Sequence, residues 1–206
     1  MKKIKTIGLD ADDTLWHNEP FFGEAQTALI DVMKDFVDGP ELARVLQEMQ
    51  RKNVPTMGYG IKSFTFSMMD AALAVSDGKL NAKAMVDVMN IGREMMAHPV
   101  ELLPAVAETL EEMARDYELV LITKGDLVDQ ERKVHLSEIG TWVNHIEIVS
   151  EKHPQTYEMI FGRFGELNQS VMIGNSAKSD ALPAVEAGAW GIHVPYEVTW
   201  EMEMVD

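Results

Sequence analysis

Five short apolar-rich runs, each bounded by polar or turn residues, set the strongest limit on what this chain folds into. They occupy residues 4–9, 118–123, 146–149, 170–174 and 190–194. Runs of this length, apolar nearly throughout, read as strands buried on both faces. Around the later runs the apolar residues recur at helical spacing instead. Val106, Leu110 and Met113 share one face, and Tyr157, Ile160, Phe161 and Phe164 follow i, i+3, i+4, i+7. A further helix after Ser176 meets its stop signal at Gly188. Alternating strands and helices predict an α/β fold, a doubly wound parallel sheet covered on both faces.

Residues 16–98 break this rhythm. Leu29, Val32, Met33 and Phe36 share a helical face, as do Leu42, Val45, Leu46 and Met49, and, with some drift, Met85, Val88, Met89 and Met96. Asp38-Gly39-Pro40, Asn53-Val54-Pro55 and Ser76-Asp77-Gly78 punctuate these helices. The expected organisation is therefore a sheet core made of residues 1–15 and 99–206, interrupted by an all-helical insert over 16–98. His98-Pro99 and Leu103-Pro104 mark the return to the sheet. Many of the 15 methionines fall in the insert, where their adaptable side chains suit irregular packing.

Composition excludes several classes of function. Lys and Arg number 18 against 34 Asp and Glu, a formal charge of −16, with no basic stripe to attract a nucleic-acid backbone. No apolar run is long enough to cross a bilayer, so no membrane partner is expected. The basic start of the chain turns apolar only briefly before Asp10, too short a stretch for a secretory leader. Cysteine is absent, which removes disulfides, thiol catalysis and thiolate metal sites. A cytoplasmic location is the default expectation. A small anionic substrate fits only where a metal ion or a placed lysine supplies local counter-charge.

Open parallel sheets bind ligands at the carboxyl ends of their strands. Asp10-Ala11-Asp12-Asp13-Thr14 follows the first run, and Thr123-Lys124-Gly125 closes the second. Ser150-Glu151-Lys152-His153-Pro154 follows the third, and Gly174-Asn175-Ser176, with Asp180 a little later, follows the fourth. Taken singly, Asp13 is a turn former, Ser176 a helix cap, Thr123 a strand-end hydroxyl and Lys152 a solvated lysine. Together they place carboxylates, hydroxyls, an ammonium and an amide on one rim, a set suited to phosphate and metal chemistry. A carboxylate at a strand tip can attack a phosphoryl group, which assigns Asp10 as nucleophile. Asp12, two residues on, is the candidate to give a proton to the leaving oxygen and later take one from water. Thr123 is a donor for a phosphoryl oxygen, and Lys152 neutralises the transferring charge. Two acids facing a phosphate also require a cation, for which Mg²⁺ is the hard, oxygen-seeking choice.

The ordered set resembles the haloacid dehalogenase-like superfamily. Asp10-x-Asp12-x-Thr14 is similar to its first motif, Thr123 to its second, Lys152 to its third, and Gly174-Asn175-Ser176 through Asp180 to its fourth. The resemblance spans residues 4–194 and implies a Rossmann-like core with the helical insert as a cap. It implies Mg²⁺ held by the Asp10 carboxylate, the Asp12 carbonyl and the side chain of residue 175. Here that residue is Asn where the family usually has Asp, an amide oxygen of lower charge; Asp180 is read as binding a metal water or orienting Lys152. Lys124 stands where many relatives have Asn, either beside the phosphate or facing solvent. Pro104-Ala105 replaces the family's Pro-Gly. A helix common in relatives beyond residue 194 is replaced by an acidic tail, which reads as a truncation. Specificity is assigned to the cap: Trp16 leaves the first strand directly, and Tyr59, in a Gly-rich loop with Lys62, is a candidate to stack on a base or sugar.

The implied activity is Mg²⁺-dependent hydrolysis of a small phosphorylated metabolite through an aspartyl-phosphate. A phosphotransferase or mutase shares the first step. A dehalogenase needs no acid at Asp12, because a halide leaves without a proton. A non-catalytic phospho-accepting signalling domain would carry its Asp on a middle strand, and residues 15–118 offer none. Asn175 alone points to an inactive member. Oligomeric state is not encoded legibly.

Overall fold

The computed structural model describes residues 3–198 and 200–204. The chain divides into two compact units, one formed by Met1–Glu19 with Val100–Asp206 and the other by Pro20–Pro99.

The first unit is built on five parallel strands, β1 (Thr6–Leu9), β2 (Glu118–Lys124), β3 (His145–Val149), β4 (Ser170–Gly174) and β5 (Trp190–His193), in the order β3-β2-β1-β4-β5. The chain winds outward from β1 through β2 to β3 and then crosses from β3 to β4 on the other side of β1, so the end of β1 lies between the ends of β2 and β4, the crevice position of a doubly wound sheet. Side chains of β2 alternate between two cores. Leu119 and Leu121 pack with Ile7, Leu9, Leu110 and Val134, whereas Val120 and Ile122 pack with Tyr157, Ile160, Phe161 and Met172. Both faces of the strand are buried, which is why its sequence is apolar without alternation. The covering helices within this unit are α5 (Val106–Met113) and α7 (Pro154–Phe161), where helical spacing was expected, α6 (Leu127–Ser137), which the sequence reading did not single out, and α8 (Leu182–Glu186), numbered after the four of the other unit.

The helix expected directly after Ser176 is instead a π turn, Ala177–Ala181, running into α8. Pro183 has no N–H for the Ser179 carbonyl, and the Tyr157 hydroxyl donates to that carbonyl at 2.8 Å in its place. The wide turn carries Asp180 inward, where it is 1% exposed.

The second unit contains α1 (Glu19–Met33, whose first residue belongs to the first unit), α2 (Gly39–Met57), α3 (Ile61–Val75) and α4 (Ala82–Ala97). Its core gathers Leu29, Met33, Leu42, Leu46, Phe64, Met68 and Val88. Asp38 caps α2 by accepting from the Glu41 amide at 2.9 Å, with Pro40 in the first turn. Asn53-Val54-Pro55 does not end a helix as its composition suggests. α2 runs on through Pro55 to Met57, and the buried Asn53 donates to Ser67 and Asp70 on α3, which ties this end of the helix to its neighbour. Among the described residues no helix is long and apolar enough to cross a membrane.

Gly8 marks the tightest contact between β1 and α7: a Cβ there would lie 2.8 Å from the Phe161 ring. Gly8→Ala is expected to cost about 1–3 kcal/mol in urea unfolding through overpacking. An unchanged unfolding midpoint would contradict this packing.

Candidate active site

Asp10 leaves β1 with its amide still bonded to the Ile173 carbonyl of β4, so its side chain emerges at the strand tips with its backbone fixed. The residue is 6% exposed. Oδ1 accepts from Lys152 Nζ at 2.5 Å, and Oδ2 accepts from the Thr14 hydroxyl at 2.9 Å. Lys152, on the loop after β3, is itself buried and donates a second bond, at 2.6 Å, to Asp180 Oδ1. The other oxygen of Asp180 accepts from the Ser176 amide at 3.0 Å. Gly174 makes room for this carboxylate, since a Cβ at that position would come within 2.2 Å of Asp180 Oδ2.

One ammonium thus faces two buried carboxylates. Burial pushes the Asp10 carboxyl up, Lys152 pulls it down and Asp180 pushes it up again, to about 7. Burial works against the Lys152 charge, but Asp10 and Asp180 outweigh it and hold the ammonium above its ordinary range. The triad carries one negative charge in excess.

Thr14 ties the loops after β1 and β4. Its hydroxyl accepts from the Asn175 amide at 3.0 Å and lies 3.3 Å from Asn175 Oδ1, which gathers that oxygen and Asp10 Oδ2 around one group. Asp180, expected among the metal ligands, has both oxygens committed to Lys152 and the Ser176 amide. Of the two roles considered for it, its contacts are those of orienting Lys152. Among the described residues no three His, Cys, Asp or Glu side chains gather as for a metal ion. The Asp10 carboxylate and the Asn175 side-chain oxygen are hard oxygens that both lie beside the Thr14 hydroxyl.

Asp12 faces the other way. Oδ1 accepts from the Trp16 indole at 2.7 Å and from Lys133 at 2.9 Å, and Oδ2 from Gln130 at 3.3 Å. Trp16 was expected to meet a substrate; it is 1% exposed and serves to hold Asp12. Gln130 also donates to the Thr123 hydroxyl at 2.5 Å, linking the acid to the β2 tip. Gly125, with φ +148°, turns the chain tightly against Gln130. Asp13, with φ +61°, is a turn residue whose carboxylate accepts from the Asn18 and Glu19 amides; burial outweighs those bonds and pushes it up to about 6. Lys124 does not face solvent: it pairs with Glu203 and donates to Ser179 at 3.0 Å. Tyr59 is half-buried in the loop between α2 and α3 of the helical unit.

Sequence reasoning named Thr14 only as part of the first motif, with no role, and missed Gln130, Lys133 and Glu203. Gln130 and Lys133 carried a readable signal. On α6 the buried face holds Asp129, Gln130, Lys133 and Ser137, while Leu127 and Val128 are exposed. A helix that turns polar groups inward is one that serves a site.

A family model for haloacid dehalogenase-like hydrolases matches residues 4–188. The chain belongs to that family. A haloacid dehalogenase-like family hydrolase from Xanthomonas campestris is 37% identical, with a TM-score of 0.89 over 94% of this chain and 82% of that one. Two more distant members share the fold. One, described as a predicted phosphoglycolate phosphatase from Haemophilus somnus, is 19% identical with a TM-score of 0.62 over 95% of this chain and 87% of that one. The other, a 2-haloacid dehalogenase from Pseudomonas syringae, is 21% identical with a TM-score of 0.64 over 96% and 90%. No curated protein matches the chain. Membership makes this a hydrolase-family chain, and the family's members differ in the bond they break.

Lys152→Met tests the triad by leaving Asp10 and Asp180 buried without a counter-charge. It is expected to destabilise the fold by about 3–5 kcal/mol at neutral pH. The Asp10 carboxyl, already raised by burial, would lose the group that pulls it down, so the loss should shrink as pH falls below its folded pKa and grow as pH rises. Urea unfolding at pH 5 and pH 8 measures it, and an equal, small effect at both would contradict the pairing.

Proposed function

We propose that this hydrolase is a Mg²⁺-dependent phosphatase that cleaves a small phosphomonoester through an aspartyl-phosphate on Asp10. The observation that carries the reading is the fixed Asp10 carboxylate, with Lys152 on one oxygen and Thr14 beside Asn175 on the other. A nucleophile already held in one orientation gives up little freedom when it reacts.

The charge balance supports a cation. The excess negative charge of the triad would repel a phosphate, and a divalent ion offsets both. Asp10 and Asn175 would hold it with their side-chain oxygens and Asp12 with its carbonyl, a partial set that suits an ion retaining several waters. Bound there, Mg²⁺ supplies Lewis-acid charge to the phosphoryl oxygens.

The chain's own residues account for the rest. An Asp10 oxygen forms a bond to phosphorus as the ester oxygen departs. Asp12 is assigned the proton transfers: protonated from solvent and turned from the Trp16, Lys133 and Gln130 donors that hold its resting carboxylate, it gives that oxygen a proton, then, as carboxylate, takes one from the water that hydrolyses the aspartyl-phosphate. The Thr123 hydroxyl accepts from Gln130 and donates over a long 3.4 Å to the Lys124 carbonyl, a contact that a phosphoryl oxygen would replace. Lys152 offsets charge that grows on Asp10's partner. The helical unit acts as the cap in this reading, with Tyr59 as a substrate contact and Lys124 as an electrostatic one. A halide leaving group would give Asp12 nothing to protonate, so the acid and its three donors favour phosphate over halide.

Asp10→Asn is expected to lose at least about 10³-fold in kcat on an aryl phosphate, with the parent's circular dichroism. Chelator should abolish parent turnover and added Mg²⁺ restore it. Parent-like turnover by Asp10→Asn would remove the nucleophile, and turnover indifferent to chelator would remove the metal.

A further inference from the structure

Glu203 lies in a 3₁₀ turn, Glu201–Glu203, near the end of the chain, and none of the residues in that turn is buried. Its carboxylate nonetheless reaches three donors that are largely shielded from solvent. Oε1 pairs with Lys124 Nζ; Oε2 accepts from Ser176 Oγ at 2.7 Å and from Ser179 Oγ. Ser176 and Ser179 are 7% and 8% exposed. Burial pushes the Glu203 carboxyl up, but Lys124 and the two hydroxyls more than reverse this and hold it below the usual carboxylate range. In the same turn the Met202 carbonyl accepts from Lys178 at 2.8 Å.

The donors come from two places in the fold. Lys124 is the last residue of β2, and Ser176 and Ser179 lie just past the end of β4. In the sheet β1 runs between those strands and delivers Asp10 at its tip. An ammonium and two hydroxyls that converge on one carboxylate form a built oxyanion site. Its present occupant sits on an exposed tail and is tethered rather than packed.

We propose that Lys124, Ser176 and Ser179 form an oxyanion subsite, filled in this structure by the Glu203 carboxylate and open to a carboxylate or phosphate group of a small ligand when the tail withdraws. A tethered occupant competes as if present at millimolar concentration, so it sets a threshold that a free anion must exceed. The subsite shares Lys124 with the phosphatase reading, where it is an electrostatic contact to substrate; Ser176 and Ser179 have no part in that reading, and binding measured in chelator without turnover tests the subsite apart from catalysis.

The test is equilibrium binding of inorganic phosphate and of acetate to the full-length protein in chelator, without substrate, by calorimetry. Glu203→Ala and Glu203→Gln should each bind phosphate about tenfold more tightly than the parent. The gain should vanish in Lys124→Met/Glu203→Ala. A gain with acetate as well assigns the subsite to oxyanions in general, and a gain with one probe alone assigns it to that class. Binding by both single variants that equals the parent's, or a gain that survives loss of Lys124, would overturn the proposal.

Discussion

A single buried ammonium holds this site together. Lys152 reaches from the loop after β3 to Asp10 beyond β1 and to Asp180 beyond β4, so one side chain joins three segments that are far apart along the chain. Burying a lysine this deeply is unfavourable unless carboxylates repay it, and burying two carboxylates is unfavourable without the lysine. Each group is therefore tolerable only because the others are present. The π turn that swings Asp180 inward, the Tyr157 hydroxyl that satisfies the turn's open carbonyl and the bare Cα of Gly174 are local consequences of making that meeting possible.

The sheet explains why the polar groups separate into three networks. Around Asp10, the Thr14 hydroxyl locks the first loop to the fourth. On the side of α6, Gln130 and Lys133 hold Asp12 and connect it to Thr123. At the ends of β2 and β4, Lys124 and two serines grip the acidic tail. A parallel sheet makes this economical, because every strand ends on the same rim and each following loop contributes one or two side chains. The overall negative charge of the chain has little bearing on these networks. What matters there is the local ratio of ammonium groups to carboxylates.

Much of the fold was legible because it rests on short-range patterns. Runs such as ELVLIT have no alternation because β2 is buried on both faces, and the break in rhythm over 16–98 reflects helices with their own core. Asp10, Asp12, Thr123, Lys152 and Asn175 were legible as residues at strand ends in a recognisable order. What they touch was not. No spacing rule says that Trp16 turns inward to Asp12 rather than outward, that α2 continues past Pro55, or that Asp180 spends both oxygens on Lys152 and an amide. Glu203 was invisible for a stronger reason: it pairs with Lys124 across 79 residues, and an acidic tail reads as solvated surface.

The central claim is chemical: the carboxylate gripped by Lys152 and Thr14 becomes covalently phosphorylated. Asp12→Asn should form that adduct and fail to activate the water that removes it. Acid-quenching this variant seconds after mixing with an aryl phosphate and Mg²⁺, followed by peptide mass analysis, should find one phosphoryl group on the peptide that contains Asp10 and none after hydroxylamine treatment. A phosphoryl group on any other residue, or an unmodified peptide while the aryl alcohol is still released in a burst, would contradict the account.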